Sequence, residues 1–204
     1  MPNSFKSNGL RGGAMANSCR TVIDGAYLND PAHRIRWRRT LEFVGRSSSA
    51  QLLTAAALSG LDLGDRTPLT ASLEQLFGCS FESTTIDLDV ERLSGSFSVV
   101  TAFEVLEHLY NPLHLLLEVR RILEGADARF FVSMPNAKPA FLKSPDHFHE
   151  MSRDEALSLF SRAGFAVLRS ANFRIRHPLF YLTGVKPLLR AWYEKVQIYE
   201  LAVR

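Results

Sequence analysis

The alternation of short apolar runs with helical stretches constrains the fold of this chain more than any other feature of its sequence. Apolar residues at helical spacing predict helices, and the runs between them have the length and composition of strands. Expected strands cover residues 40–45, 60–65, 81–87, 97–103, 129–133, 165–170 and 197–203. Expected helices cover residues 31–39, 47–58, 68–77, 112–123, 152–163 and 187–193. This order predicts a parallel, doubly wound α/β sheet.

Length and composition narrow the class of protein. The chain has 204 residues, of which 46% are hydrophobic and 22% are charged, so it can bury one sizeable core. Residues 1–20 are polar and aperiodic and are expected to form a flexible tail, which leaves residues 21–204 as a single domain. No apolar run approaches the ~20 residues that span a bilayer, and no secretory signal is recognisable. We therefore expect a cytoplasmic protein without a membrane partner.

Cysteine content and net charge exclude further classes. Cys19 and Cys79 are isolated, which argues against a zinc ribbon or a disulfide framework. The 24 Lys and Arg against 21 Asp and Glu give a charge of +3, which does not by itself indicate a nucleic-acid partner. Residues 34–39 (RIRWRR) are the one strongly basic cluster, and they fit either a solvated helix face or a phosphate-binding patch.

The loops that leave the expected strands are the places to look for a ligand, because an open α/β sheet binds ligands beyond the carboxyl ends of its strands. After the first expected strand, Gly45 and the small residues that follow it resemble a turn in which the backbone approaches a nucleotide, although Ser47 and Ser49 stand where such turns have glycines. Asp65 ends the second expected strand and is placed to bind a ribose. Asp87 ends the third and could reach an adenine amine.

Three ordered motifs then point to a family. Residues 97–112 read FSVVTAFEVLEHLYNP, residues 131–136 read FVSMPN, and residues 152–165 read SRDEALSLFSRAGF. Together they resemble the class I S-adenosylmethionine-dependent methyltransferases, in particular the bacterial group with FDVV, EVLEHL, STPN and AGF motifs. The resemblance runs from about residue 41 onward, and it implies a Rossmann-like sheet that is mostly parallel, with an antiparallel C-terminal strand.

The family's binding residues can be carried over position by position, with S-adenosylmethionine as the implied cofactor. The resemblance places the turn residues Gly45, Ser47 and Ser49 under the methionine part of the cofactor. It places Asp65 on the ribose and Asp87 near the adenine. It places Ala102, Phe103 and Glu104 beside the sulfonium. The altered first loop is a departure from the family pattern and weakens the expectation of cofactor binding.

Two chemistries remain open for the segment that carries the EVLEHL motif. In the first, His108, His147 or His149 is the base that takes a proton from the acceptor, because an imidazole titrates near neutral pH. In the second, Glu104, Glu107 and His108 share one face of a helix and bind Mg²⁺ with His147 as fourth ligand. The second set resembles the magnesium-dependent methyltransferases of quinone biosynthesis and of small-RNA 3′ ends.

These observations predict an S-adenosylmethionine-dependent methyltransferase that acts on an oxygen or nitrogen of a small-molecule or glycan-type acceptor. Little chain is left for a separate acceptor domain, which favours a small acceptor. One alternative is a catalytically silent relative that serves as a binding or scaffold protein. The other is a magnesium-dependent methyltransferase of RNA or of a quinone-type acceptor. The sequence does not identify the acceptor or an oligomeric state.

Overall fold

The computed structural model describes residues 31–47, 59–176 and 178–204. Within them, six strands form one mixed sheet in the order β2–β1–β3–β4–β6–β5. The strands are β1 Gly60–Asp62, β2 Phe81–Ser83, β3 Val99–Phe103, β4 Arg129–Pro135, β5 Phe165–Arg174 and β6 Lys195–Val203. β2, β1, β3 and β4 pair in parallel, while β6 pairs antiparallel with both β4 and β5. The expected α/β fold with an antiparallel C-terminal strand is confirmed.

The helices of the described residues are α1 Pro31–Gly45, α2 Pro68–Phe77, α3 Pro112–Ile122, α4 Arg153–Arg162 and α5 Val185–Tyr193. Their ends follow from local chemistry. The Thr67 side chain accepts from the Leu69 N–H at the start of α2, and Pro68 occupies the first turn, where its missing N–H costs nothing. Ser152 and Glu155 form a reciprocal capping box at the start of α4. These local signals explain why the predicted bounds of α2, α3 and α4 lie within one residue of the structure.

The expected strand over residues 40–45 is wrong, because these residues form the last part of α1. Trp37, Leu41 and Val44 are spaced by four and three residues, so they share one helical face and pack against α2 and the sheet. The first parallel strand along the described chain is therefore β1. The expected helix over 47–58 lies almost wholly outside the described residues, as does the expected tail over 1–20.

The core lies on both faces of the sheet. On one face, residues of α3 and α4 such as Leu116 and Phe160 pack against Val132 of β4 and Tyr199 of β6. On the other, α1 and α2 cover Val99 of β3 and its neighbour Phe131 of β4. The domain thus has three layers, with helices on both faces of the sheet. The ends of the strands are covered by loops and not by these helices. No helix of the described residues is both long and apolar enough to cross a bilayer.

Candidate functional site at the carboxyl ends of β1 and β3

The strand order fixes where a ligand should bind. The next strand in the chain, β2, pairs with one side of β1. The strand after that, β3, pairs with the other side of β1. The connections therefore run in opposite directions from β1, which makes the edge between β1 and β3 the topological switch point. The loops that frame this crevice follow β1, β2 and β3.

The loop after β1 has the geometry of a ligand-binding turn. Gly64 has a φ of +126°, a conformation that only glycine adopts without strain. A Cβ built on Gly64 would have no atom of the described residues within 4 Å, so these residues leave open space beside the backbone here. Its N–H donates to Thr84 Oγ1 at 3.2 Å, which ties this loop to the loop after β2. Helix α2 begins four residues later and directs its N-terminus to the same edge.

The prediction from the sequence does not indicate this loop as the cofactor turn. It puts that turn at residues 45–49, after an expected strand over residues 40–45. In the structure Gly45 ends α1, and a Cβ added to it would lie 3.5 Å from the Leu76 side chain of α2. Ser47 is buried and its hydroxyl donates to Glu200 Oε1 of β6 at 2.6 Å, across the sheet from the switch point. Ser49 lies outside the described residues. The turn prediction for Gly45 and Ser47 therefore loses its topological basis.

Because Gly60–Asp62 forms the first strand of the described chain and not the second, the roles of the predicted acids Asp65 and Asp87 also change. Asp65 lies in the loop after β1, not at the end of a second strand. Asp87 follows β2 and stands 23 residues after Gly64, the interval at which an acid reaches a ribose in dinucleotide-binding folds. Its Oδ1 accepts from the Asp89 N–H at 3.0 Å, which holds the carboxylate in a turn. The sequence does carry a signal for a ligand-binding turn at Gly64. Residues 61–64 read as a strand that ends in a glycine, and Pro68 marks the start of a helix.

Asp62 closes β1 with a buried polar network. Its two carboxylate oxygens accept from Thr70 Oγ1 of α2 at 2.6 Å and from Thr101 Oγ1 of β3 at 2.7 Å. Burial raises the pKa of this carboxyl, while the two hydroxyls act in the opposite direction. Asp62 therefore joins α2 to the strand across the switch point and positions the β1 loop.

The three residues predicted to lie beside the sulfonium stand at the end of β3, at the carboxyl edge of the sheet. Ala102 is fully buried and its side chain belongs to the core, whereas Phe103 packs partly against the α1 and α2 face. Glu104 has a φ of +57°, a left-handed conformation uncommon outside glycine. Its carboxylate accepts from Ser133 Oγ of β4 at 3.0 Å and from Arg36 of α1 at 2.5 Å. These contacts direct the Glu104 side chain across the strand ends.

Three of the four residues predicted as metal ligands converge. Ligand atoms of Glu107, His108 and His147 all lie within 4.8 Å of one another, and the two imidazole rings meet edge to face with centroids 4.9 Å apart. Glu104 is not part of this set. A short 3₁₀ turn over Leu106–His108 carries the first two residues, in place of the expected helical face.

Hydrogen bonds orient both histidines in the same way. His108 Nδ1 donates to the Asp146 carbonyl at 2.9 Å, and His147 Nδ1 donates to Glu150 Oε1 at 2.8 Å. Each ring therefore has its Nε2 lone pair available. His149 differs, since its Nε2 contacts the Tyr110 carbonyl at 3.2 Å. Of the three predicted bases, His108 and His147 come together and His149 points away.

The protonation states of this cluster follow from burial and neighbouring charge. Burial, together with the charges of Glu104 and Glu150, raises the pKa of Glu107 well above its ordinary value. Burial also lowers the pKa of His108, which favours the neutral imidazole. Burial opposes ionisation of Glu150 as well, but hydrogen bonds from Lys138 and His147 outweigh it and lower the pKa. The cluster thus combines a neutral imidazole with a carboxyl that holds its proton to higher pH.

Several buried oxygens at this edge have no hydrogen-bond partner within the described residues. They are Glu107 Oε2, Asn136 Oδ1 and Glu150 Oε2, from the loops after β3 and β4. Buried acceptors without donors are costly and rare in native proteins. A ligand that brings N–H, O–H or positive charge to the crevice would satisfy them.

Comparison with known proteins agrees with this fold. The family model for the methyltransferase domain matches residues 13–175. Curated relatives include ubiquinone biosynthesis O-methyltransferases of Pseudomonas syringae pv. tomato, 31% identical over 101 residues, and of Pseudomonas paraeruginosa, 29% identical over 98 residues. These matches cover 48% and 47% of this chain and 44% and 42% of the relatives, so the chain matches less than half the length of either.

Two solved structures share the fold at low sequence identity. A SAM-dependent methyltransferase of Leishmania major has a TM-score of 0.58 at 11% identity, covering 85% of this chain and 74% of that one. The N-methyltransferase NodS of Bradyrhizobium japonicum has a TM-score of 0.51 at 11% identity, covering 86% of this chain and 98% of that one. At such identities the likeness concerns the fold alone.

The chain belongs to the methyltransferase domain family, and its motifs imply S-adenosylmethionine as the cofactor. The residues present fit that group. The space that the described residues leave beside Gly64 lets the backbone approach a ligand. Glu107 Oε2 and Asn136 Oδ1, which have no hydrogen-bond partner among those residues, can accept from a cationic amine. The cofactor supplies a methyl group already activated on a sulfonium.

Proposed function

We propose that this chain transfers a methyl group to an oxygen or nitrogen of a small-molecule acceptor at the crevice between β1 and β3. The observation that carries the proposal is the convergence of His108 and His147 beside the strand ends of the switch point, each with its Nδ1 hydrogen-bonded and its Nε2 available. A family fold alone would not require two imidazoles to be oriented in this way.

The chain's own residues have separate roles in this proposal. The Gly64 turn and the N-terminus of α2 hold the cofactor's methionine end, and Asp87 accepts from the ribose hydroxyls. Asp65, the residue directly after Gly64, is the competing ribose ligand. Phe103 and Glu104 border the reacting centre at the end of β3. Relative to the roles predicted from the sequence, the turn moves from Gly45 to Gly64 and the ribose role from Asp65 to Asp87, which the strand order supports.

The acceptor's proton passes to an imidazole. His108 has a lowered pKa, so its Nε2 is unprotonated at neutral pH and can accept a proton from a hydroxyl or amine. His147 is the alternative base, and its Nδ1–H donates to Glu150 Oε1, which fixes the orientation of the ring. Tyr110 and Phe148 stack with ring centroids 4.0 Å apart beside this pair and offer an aromatic wall for a planar acceptor.

A second assignment of the same trio is a divalent-ion site. It is favoured by one observation, the buried Glu107 Oε2 that lacks a partner among the described residues while lying close to two imidazoles. Two imidazoles and one carboxylate suit Zn²⁺ or Mn²⁺ better than the Mg²⁺ expected from the sequence, since Mg²⁺ prefers oxygen ligands. Calorimetric titration with each of the three ions distinguishes them. Binding of one ion that is lost in His147→Gln supports this assignment, and no binding of any ion rules it out.

Calorimetry with S-adenosylhomocysteine tests the main proposal. We expect binding by the natural chain, a loss of about tenfold or more in Asp87→Ala, and a smaller loss in Asp65→Ala. Glu82→Ala, an exposed acid on β2 itself, is the matched control and should bind normally. No binding at millimolar ligand would overturn the proposal and favour the catalytically silent relative. A larger loss of S-adenosylhomocysteine affinity in Asp65→Ala than in Asp87→Ala would assign the ribose contact to Asp65.

A further inference from the structure

The segment between β5 and β6 exposes an unusual set of large apolar side chains. It contains a 3₁₀ turn over Pro178–Leu182 and helix α5. Five of its side chains are more than half exposed, and together we call them the apolar face: Leu179 at 64%, Leu182 at 75%, Val185 at 77%, Leu188 at 57% and Trp192 at 74%. Single exposed apolar residues are normal, but a contiguous set of this size marks a surface that contacts something else.

Contacts beneath the segment show that it is held with this face outward. Arg174 Nε of β5 donates to the Ala191 carbonyl at 2.9 Å, and Arg176 Nε donates to Glu194 Oε2 at 3.0 Å. Tyr181 is buried, and the Arg176 guanidinium lies 4.7 Å from the Phe180 ring centroid. These polar and aromatic side chains therefore face the domain. The apolar face is what remains on the other side.

Helical geometry makes the exposed set continuous. Val185, Leu188 and Trp192 are spaced by three and four residues, so they line one side of α5. Leu182 ends the 3₁₀ turn that precedes them. The result is a short amphipathic helix whose apolar side is turned to solvent, the reverse of a helix that packs on its own core.

Charge and residue type select the occupant. Arg176 pairs with Glu194 and Arg174 is turned toward the domain, which leaves Lys186, Arg190 and Lys195 as the basic residues that no acid within residues 174–195 offsets. Lys195 Nζ lies 5.9 Å from the centroid of the Trp192 ring. Leucines and a tryptophan interspersed with Lys and Arg are the composition of helices that lie in the headgroup region of anionic membranes. A self-associating face would repel its own copy through this net positive charge.

We infer that the apolar face docks this chain onto the surface of an anionic lipid bilayer. β5 runs in the same direction as β4, so the segment that follows Arg174 lies at the carboxyl edge of the sheet, the edge that carries the candidate site. This is a surface association, on which the lack of a bilayer-spanning helix among the described residues has no bearing, and it departs from the expectation of no membrane partner. It does not depend on the proposed methyl transfer.

Vesicle binding tests the inference on the whole chain. The probes are vesicles of phosphatidylcholine with phosphatidylglycerol and vesicles of phosphatidylcholine alone. We expect flotation with the anionic vesicles, weaker flotation as salt is raised, and a blue shift of tryptophan emission that Trp192→Phe abolishes while Trp37 remains. The double variant Val185→Glu with Leu188→Glu should lose about tenfold or more in vesicle affinity.

A matched double variant distinguishes loss of the apolar face from the general effect of added negative charge. Leu117→Glu with Leu168→Glu adds the same two charges at half-exposed leucines of α3 and β5, and its vesicle affinity should stay within about twofold. Equal losses in both double variants would overturn the inference, as would equal binding to the neutral vesicles or none to either. A dimer that the Val185→Glu, Leu188→Glu variant converts to a monomer would also overturn it, because a second copy would then cover the face.

Discussion

The guanidinium of Arg36 and the carboxylate of Glu104 lie 2.5 Å apart, although the two residues are 68 positions apart in the chain. The contact joins the first half of α1 to the carboxyl end of β3. Both side chains are little exposed, at 12% and 11%, and Ser133 donates to the other oxygen of Glu104. The pair therefore ties α1 to the left-handed Glu104 turn at the carboxyl end of β3.

Removing Arg36 should destabilise the domain, because it leaves the Glu104 carboxylate desolvated next to Glu107. We expect Arg36→Ala to lower the free energy of unfolding by about 2 kcal/mol, which for a chain of this size is a fall in Tm of about 4–8 °C. Arg38→Ala is the control, since the Arg38 side chain is 66% exposed and lies 3.8 Å from Glu42. Surface pairs of that kind contribute little. Equal Tm values for the two variants would contradict this role.

The Asp62 network should also be measurable. Thr101→Val removes a hydroxyl that donates to Asp62 Oδ1 at 2.7 Å and leaves a buried carboxylate oxygen unsatisfied. We expect a loss of about 1–3 kcal/mol in urea unfolding. Thr183→Val, at an exposed hydroxyl that donates to the Phe180 carbonyl, should cost about 0.5 kcal/mol or less. A neutral Thr101→Val would show that Asp62 does not depend on this bond.

Glu107 makes the stability of the fold depend on pH. Its pKa in the folded chain is raised, so the folded state holds a proton that the unfolded state releases near pH 4.5. The contribution of Glu107 to the free energy of unfolding should therefore be largest below that value and fall as pH rises toward the folded pKa. Glu107→Gln keeps the shape and removes the titration. We expect its Tm to match the natural chain at pH 4 and to exceed it by a few degrees at pH 8; parallel curves would contradict the prediction.

His108 can be tested by nuclear magnetic resonance. Its pKa is lowered from 6.5, chiefly by burial, so the imidazole should titrate below that value and be neutral at pH 7. Long-range ¹H–¹⁵N spectra should show the proton on Nδ1, where the Asp146 carbonyl accepts it. A titration midpoint above 6.5, or a proton on Nε2, would remove His108 from the role of base.

Much of the fold could be predicted because local signals agree with tertiary packing. The Thr67 and Pro68 start of α2 and the Ser152 capping box of α4 are complete within four residues of sequence. Val99–Phe103 is almost wholly buried, as a central parallel strand must be, and its apolar run shows it. Such elements need no knowledge of distant contacts.

The error at residues 40–45 has a physical cause. A six-residue apolar run fits a strand or one and a half turns of a helix, and periodicity alone does not separate them. The deciding evidence is the spacing of Trp37, Leu41 and Val44 over a longer window, which the helix buries against α2. Because the predicted strands begin at that point, the sequence pattern puts the cofactor turn at Gly45, whereas our proposal puts it at Gly64.

The candidate site could be predicted only in part, because it depends on contacts between distant segments. The residues of the EVLEHL motif could be named from the sequence, but the pairing of His108 with His147 depends on the Asp146 and Glu150 partners across the loop after β4. Arg36 contacts Glu104, but the sequence around neither residue indicates that these two segments meet. The exposure of the apolar face is equally a property of the packed domain.

Amide hydrogen exchange with and without S-adenosylhomocysteine tests most directly whether the cofactor lies at the switch point. We expect protection of the backbone N–H groups of residues 63–67 and 103–105, at the ends of β1 and β3, with little change at residues 45–47. Protection centred on residues 45–47, or no protection anywhere at saturating ligand, would contradict this location.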